Sequence, residues 1–510
     1  MTIILDGASL TIQSLIDITH HQAQIEISEE AFERLKSSRT LVFKLSESDV
    51  PIYGFTVGVG WNKDKKVFGR YFAEYNRNLI YAHCVSVGPY LKEEETRAVM
   101  VSRLNALLSG RTGIQLEVVE MYKAFLNAGI HPRIPSRGSV GEADIANLSH
   151  IGLAMLGEGE VDYKGRIVPA ADALMAEGLK PVVLGPKDGL SIVSSSALAA
   201  GTGAIVLDQA LKVVEIANAV YALSVEGLDG NITPLRPEPN MARGMPSQSA
   251  CAAQLRGMLS GSYLEKKGIS KTLQDPLSFR CVAGIHGAVL DAIEYVHRFL
   301  AIHLNATDDN PCIIPESEEI ISCCNFEITN WVLGFEMLGQ ALAHLSRSAC
   351  HRTIKLSDPY FTGLSRFLSP DEGVVQAFQT IQKPFTALDA EIRHLINPVS
   401  TDYYSVAGEI EDHATNAPFV VQKTAKIIDN LYYILGIEAL HAAQAVDLRR
   451  VTAHGKGSKV LYESLRDAVP FLEQDRPLSY DIQKAYEVLT DSSLIESIRK
   501  TAGTLMPENW

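Results

Sequence analysis

A tyrosine heads a glycine-rich run, Pro51-Ile52-Tyr53-Gly54-Phe55-Thr56-Val57-Gly58-Val59-Gly60. A phenol serves as a general base when positive charge or hydrogen-bond donors acidify it. Most tyrosines pack, so the loop alone decides nothing. Arg280 follows Gln274 and Leu277 in the segment QDPLSFRC. Its guanidinium fork suits a carboxylate, although solubility is the commoner use of a surface arginine. Glu409, Glu411, Asp412 and His413 crowd the segment GEIEDHATN. An acid beside a histidine can move a proton or hold an imidazole, and a solvated acidic loop fits the same residues equally well. Asp308-Asp309-Asn310-Pro311 reads as a turn.

The most suggestive stretch is 135–159, where Gly138 and Gly141 precede Glu142, Ala143 and Asp144. Behind them Ile145, Leu148, Ile151 and Met155 recur at helical spacing. A glycine turn entering a helix gathers unpaired N–H groups and positive dipole, a good place for an electrophile or an anion. An ordinary loop and cap is the plainer reading. Lys383 lies in a stretch with a helical signature at 370–396. Ser369 and Pro370 suit its start, and Val374, Phe378, Ile381, Phe385, Leu388 and Ile392 form its apolar stripe. Lys383 falls opposite that stripe, which favours a solvated face, and Pro384 is expected to kink the helix.

The chain that must position these residues has 510 residues, 46% of them hydrophobic and 21% charged, with a net charge of −14. That composition describes a soluble globular protein with a large core. No basic run or basic-aromatic patch is present, so neither nucleic acid nor a membrane is an expected partner. The seven cysteines have no CxxC or Cys/His spacing. They read as reduced thiols in a cytoplasm, with no metal site. The N-terminus lacks the pattern of a signal peptide. The apolar run at 203–225 is interrupted by Asp208, Lys212 and Glu215.

Residues 2–5 and 41–45 read as short strands around a helix at 28–37, and 70–130 is helical with Gly110 as a stop. A Lys164-Gly165 hairpin and a connecting helix fit 160–182. From about 196, long helical patterns dominate: 196–226, 282–303, 328–352, 370–396 and 416–450. Such lengths imply a packed bundle. The expected division is a loop-rich domain over 1–195 and a bundle with C-terminal helices over 196–510.

Taken together, IYGFTVGVG, RIPSRGSVG, DIANLSHIGLAMLGEGE, LQDPLSFRC, NATDDNP, NFE, EIEDHATN and QAVDLRR occur in an order that closely resembles the histidine and aromatic amino-acid ammonia-lyase family over essentially the whole chain. The resemblance implies a mainly α fold of the fumarase/aspartase-like kind. It also implies a homotetramer whose active sites are shared between subunits. Position by position, it puts Tyr53 at the catalytic base and Arg280 at the carboxylate clamp. His83 and Glu411 fall at the imidazole-binding positions. Phe326, Gln274 and Asn310 also match pocket or electrophile-adjacent positions.

The chain departs from the family where the electrophile should form. The family carries Ala-Ser-Gly there, which cyclises to methylidene-imidazolone and captures the substrate amine. Here Glu142-Ala143 alone separates Gly141 from Asp144. Leu277 replaces a tyrosine and Ser194 an asparagine. A quaternary nitrogen has no lone pair to add to an electrophile and already leaves as a neutral amine. The expected substrate is therefore a small-molecule betaine of a histidine-like acid, ergothioneine, losing trimethylamine to give thiourocanate with no cofactor. Lys383, apolar in the ordinary histidine lyases, joins Tyr53 and Glu411 as a catalytic candidate. The alternatives are a same-fold lyase or mutase acting on another activated amino acid, or an inactive structural relative.

Overall fold

A computed structural model describes residues 2–46, 51–67, 69–266, 272–507 and 509–510. The fold is mainly helical. Its principal helices are α1 Glu29–Ser46, α2 Phe72–His83, α3 Glu93–Leu107, α4 Ile145–Met155, α5 Ala197–Leu228, α6 Val282–Leu304, α7 Thr329–Leu356, α8 Gln382–Leu395 and α9 Ala417–Leu448. Strands are few and short. Thr2–Leu5 pairs in parallel with Gln24–Ile27, and Val87–Tyr90 pairs antiparallel with Pro135–Arg137. The expected hairpin is present: Glu160–Tyr163 runs back along Arg166–Pro169 through Lys164 and Gly165, both at positive φ.

The bundle is built around α5. Nearly every one of its 32 residues is buried, and it packs on α9, α3 and α6. Among the described residues, only the stretch Asp188–Leu228 is long and apolar enough to cross a membrane, and here it forms the centre of the bundle. The charges that interrupt it are neutralised inside the fold. Asp208 pairs with Lys212 one turn on at 2.7 Å, and Glu215 pairs with Arg499 at 2.8 Å. Between neighbouring helices, Arg352 of α7 and Ser224 of α5 both bond to Glu438 of α9. Breaking such a buried pair strands a charge, so these contacts fix the helix register.

Three expectations are corrected. Residues 41–45 are not a strand, because the helix that starts at Glu29 continues through them to Ser46. There Arg39 reaches the buried Asp188 through two bonds of 3.1 Å. The helix expected at 370–396 starts only at Gln382. Ser369 accepts from Asp371 N at 3.2 Å and donates to Val375 O at 2.8 Å, closing a turn instead of capping a helix. Asp475 then takes the N–H groups of Gln376 and Ala377, each at 2.8 Å. Pro384 lies in the first turn of α8, where a missing N–H costs nothing, and so introduces no kink.

A small second core of Leu41, Val42, Ile52, Phe55, Phe72 and Ile313 lies under the tyrosine loop. Phe55 and Phe72 stack at 5.7 Å. Two flanking residues of Tyr53 are thereby anchored while Tyr53 itself stays half-buried.

Candidate active site

The tyrosine loop folds back on itself. The carbonyl of Ile52 accepts from Phe55, Thr56 and Val57 at 3.0–3.2 Å. That turn brings Gly60, at φ +56, under the phenol, and its N–H donates to Tyr53 Oη at 2.9 Å. A Cβ on Gly60 would lie 3.4 Å from Glu411 Oε1, so the tyrosine loop and the acidic segment share one small volume. The Trp61 ring lies against Gly408 and joins the same two segments. Burial raises the Tyr53 phenol above its ordinary value, the Gly60 N–H opposes this, and the Glu411 charge adds to it. Within a single chain the phenol is therefore not acidified.

The turn at 138–144 is held from three sides. Thr415 Oγ1 donates to Gly141 O at 2.9 Å, and Val140 O accepts from Thr415 and Asn416 at 3.2 and 2.7 Å. Gly141 has φ +82, and a Cβ there would collide with Thr415 Oγ1 and lie 2.7 Å from Ala417 N. No other residue fits. Ser139 Oγ accepts from Gly141 N at 3.0 Å and donates to Asp144 Oδ1 at 2.6 Å. Asp144 N donates to Ser195 O at 2.6 Å.

Asp144 precedes α4, yet its carboxylate turns to α5 and accepts from Ala199 N at 3.0 Å. Asp308 completes this cap. Its Oδ2 accepts from Ser196 N at 2.9 Å and from Ser195 Oγ at 2.6 Å, while Arg103 holds Oδ1 at 2.9 Å. The dipole and free N–H groups of the central helix are thus consumed by two buried carboxylates. The sequence reading gave Ser139 and Asp144 no role, since the helix that Asp144 caps starts more than fifty residues later.

Glu142 and Ala143 fill the turn. Ala143 is buried at φ 122, a conformation that costs a residue with a Cβ and that the surrounding bonds enforce. Glu142 Oε1 is buried and has no hydrogen-bond partner among the described residues. Burial, then the nearby Glu411, push its carboxyl up to about 7; His413 opposes and Asp412 adds a little. The methylidene-imidazolone implied by the family resemblance does not fit here. Between the anchored Gly141 carbonyl and the anchored Asp144 N–H there is no serine and no glycine to cyclise.

Other candidates gather nearby. Ser194 Oγ accepts from Asn310 N at 3.3 Å, and Asn310 Oδ1 accepts from Cys323 N at 2.9 Å. Ser196 Oγ donates to Phe326 O at 3.2 Å. His83 ends α2, its Nδ1 2.7 Å from Leu79 O. Three residues on, Ser86 bonds to Ala146 O at 3.3 Å beside the turn.

Arg280, Gln274 and Leu277 are elsewhere. Beyond the far end of α5, Asn231 N donates to Asp275 at 2.5 Å. Arg280 bonds to Gln274 there, beside a cavity of about 280 Å³ also lined by Asn231, Thr233 and Asp275. Leu277 is exposed. The 32 residues of α5 put about 48 Å between this group and the turn. Lys383 occupies a third place. It is exposed near the start of α8. The other end of that helix leads to Val399 and Asp402, whose carbonyls accept from Asn416 at 2.8 and 2.6 Å. Lys383 lies about 18 Å along the axis of α8 from the helix end that leads to this loop.

Residues 10–467 match a family described as aromatic amino acid lyase. Histidine ammonia-lyases from Alkaliphilus oremlandii and Treponema denticola are 34% and 35% identical over 500 and 498 residues. These alignments cover 98% and 97% of this chain and 98% of each relative. The crystal structure of ergothionase from Treponema denticola, in complex with desmethyl-ergothioneine sulfonic acid, is 46% identical with a TM-score of 0.95, covering 97% of this chain and 99% of that one. Histidine ammonia-lyase from Trypanosoma cruzi is 29% identical with a TM-score of 0.91, covering 100% and 96%.

Proposed function

The chain belongs to the aromatic amino acid lyase family, which makes it a carbon–nitrogen lyase, and within that family we propose that it eliminates trimethylamine from ergothioneine to give thiourocanate. One observation carries this reading. The turn that ought to hold an electrophile contains only Glu142 and Ala143, while Tyr53, Gly60 and Glu411 remain gathered beside it. A lyase without an electrophile needs a substrate that brings its own leaving group, and a quaternary ammonium does. Likeness supports the same substrate. Of two relatives from Treponema denticola, the ergothionase shares 46% of aligned residues and the histidine ammonia-lyase 35%.

Tyr53 removes the β-proton. The electrons of that C–H bond become the new C=C bond as the C–N bond breaks, and trimethylamine departs neutral with the bonding pair. Glu411 and Lys383 bind or protonate the thioimidazole, which acidifies the β-proton and stabilises carbanion-like charge. Arg280 fixes the carboxylate, helped by its partner Gln274. Leu277 leaves room for three methyl groups, and His83, Phe326, Ser194 and Asn310 line the remainder.

The base and the clamp stand at opposite ends of α5, so no single chain holds both on one substrate. The active site is completed by other copies of the chain in a homotetramer. Assembly also supplies what the phenol lacks, since the Arg280 and Lys383 cations of neighbouring copies acidify Tyr53.

The test is to incubate the purified protein separately with ergothioneine and with histidine. Growth of the conjugated thiourocanate chromophore together with trimethylamine is the expected result. No turnover of ergothioneine, or efficient ammonia release from histidine, overturns it.

A further inference from the structure

Glu142 is an acidic group of the site whose chemistry the elimination leaves unassigned. The turn fixes its backbone. Its Oε1 is buried with no partner among the described residues. A buried carboxylate oxygen without a donor is costly, and it marks a place where something else belongs. The charged groups acting on it are Glu411 and Asp412, which oppose its ionisation, and His413, which favours it. His413 is also engaged by Glu327 at 3.3 Å. The Glu411 charge also acts on Tyr53. A positive charge from outside the chain would offset both this burial and the two like charges beside it.

We infer that Glu142 is the counter-ion of the substrate's quaternary nitrogen, receiving the trimethylammonium group at the turn between Gly141 and Ala143. This rests on the betaine-lyase reading above. The fit is specific in chemistry. A quaternary ammonium carries no N–H, so it cannot satisfy a site built of hydrogen-bond acceptors at fixed geometry. A charge-diffuse cation needs only a carboxylate at van der Waals distance and aromatic faces. Trp61 against Gly408, and Tyr403 with its ring 5.8 Å from that of His413, place such faces along the same segment.

The assignment predicts where the energy appears. The nitrogen is cationic in the bound substrate and neutral once the C–N bond has broken. Attraction to Glu142 is therefore largest in the ground state and fades along the reaction. Its loss shows in KM and leaves kcat unchanged or slightly raised. Binding also requires ionised Glu142. Because its carboxyl is pushed up to about 7, KM for the betaine falls as pH rises toward 7 and levels off above it.

The experiment compares the wild-type enzyme with Glu142→Gln and Glu142→Ala. It measures kcat and KM for ergothioneine between pH 6 and 8, and inhibition by thiourocanate, which has the same ring and carboxylate but no cation. The expected result is at least a tenfold rise in KM for both variants and kcat within about threefold. The inhibition constant of thiourocanate should not change, and the variants should lose the pH dependence of KM. A glutamine variant with wild-type KM overturns the inference, since an amide keeps the hydrogen bonds and discards the charge. Equal weakening of ergothioneine and thiourocanate also overturns it, as general damage to the pocket. Should the variants fail to fold, a wild-type enzyme that binds thiourocanate as tightly as ergothioneine overturns it, since only ergothioneine carries the cation. If the wild-type protein does not turn over ergothioneine, the betaine-lyase reading itself fails and takes the inference with it. That outcome is distinct from wild-type turnover combined with an indifferent Glu142→Gln.

Discussion

Gly60 and Glu411 face each other so closely that a single added carbon on Gly60 would come within 3.4 Å of Glu411 Oε1. The Gly60 N–H meanwhile holds Tyr53 Oη at 2.9 Å. The proposed base, its donor and the proposed acid thus meet at one glycine at φ +56. Gly60→Ala should lower kcat/KM at least tenfold while costing stability only about 1–2 kcal/mol. Tyr53→Phe should lower kcat roughly 10²- to 10⁴-fold with an unchanged melting temperature. Steady-state kinetics and thermal unfolding check both. A Tyr53→Phe variant with wild-type turnover would show that the base is misassigned.

Opposite placement of Tyr53 and Arg280 along α5 predicts complementation. Tyr53→Phe and Arg280→Ala should each be inactive alone. Co-expressed in the same cells, they should assemble mixed tetramers in which about a quarter of the sites carry both native residues. Activity restored toward that fraction supports sites shared between copies. Mixed tetramers, verified by differential tags, that stay inactive would rule sharing out.

Lys383 separates the fold from the chemistry. It is exposed on α8, so Lys383→Met should change the unfolding free energy by less than about 0.5 kcal/mol. If Lys383 holds the thioimidazole, the same change should depress turnover by an order of magnitude or more. A fully active Lys383→Met would return this residue to the solvated surface.

Asp144 gives the turn a pH signature in stability. Complete burial pushes its carboxyl up to about 6, against the pull of Ser139 and Ala199. Between about pH 4 and 6 the folded chain keeps a proton that the unfolded chain has released, so this contribution to stability is present below pH 4 and lost as pH rises through 6. Asp144→Asn should flatten that part of the profile. Melting temperatures at half-unit pH intervals measure it, and parallel profiles for the two proteins would count against the assignment.

Much of the bundle was legible because its signals are local. The helices expected at 196–226, 282–303, 328–352 and 416–450 are found at Ala197–Leu228, Val282–Leu304, Thr329–Leu356 and Ala417–Leu448, where apolar periodicity and packing agree. At 370–396 the local signal was strong and misleading. Ser369-Pro370-Asp371-Glu372 looks like a helix start, yet Asp475, about a hundred residues on, captures the N–H groups that a helix would have used. Pro384, expected to kink that helix, marks its first turn instead. In the site, motifs identified Tyr53 and Glu411 as candidates but not their meeting across Gly60. The separation of Arg280 and Lys383 from them follows from the lengths of α5 and α8 once those helices are seen packed.

The carboxylate of Asp144 closes the first turn of a 32-residue helix from a segment far away in sequence. The loop that frames the chemistry is therefore also a piece of the folding core, and it cannot be discarded when the chemistry changes. Glu142 and Ala143 lie between its anchored ends, Glu142 with Oε1 unpartnered among the described residues and Ala143 held at φ 122. On the betaine-lyase proposal, the change of substrate class is written into this enclosed pair and into Leu277, Ser194 and Lys383, while the frame that fastens the central helix is kept.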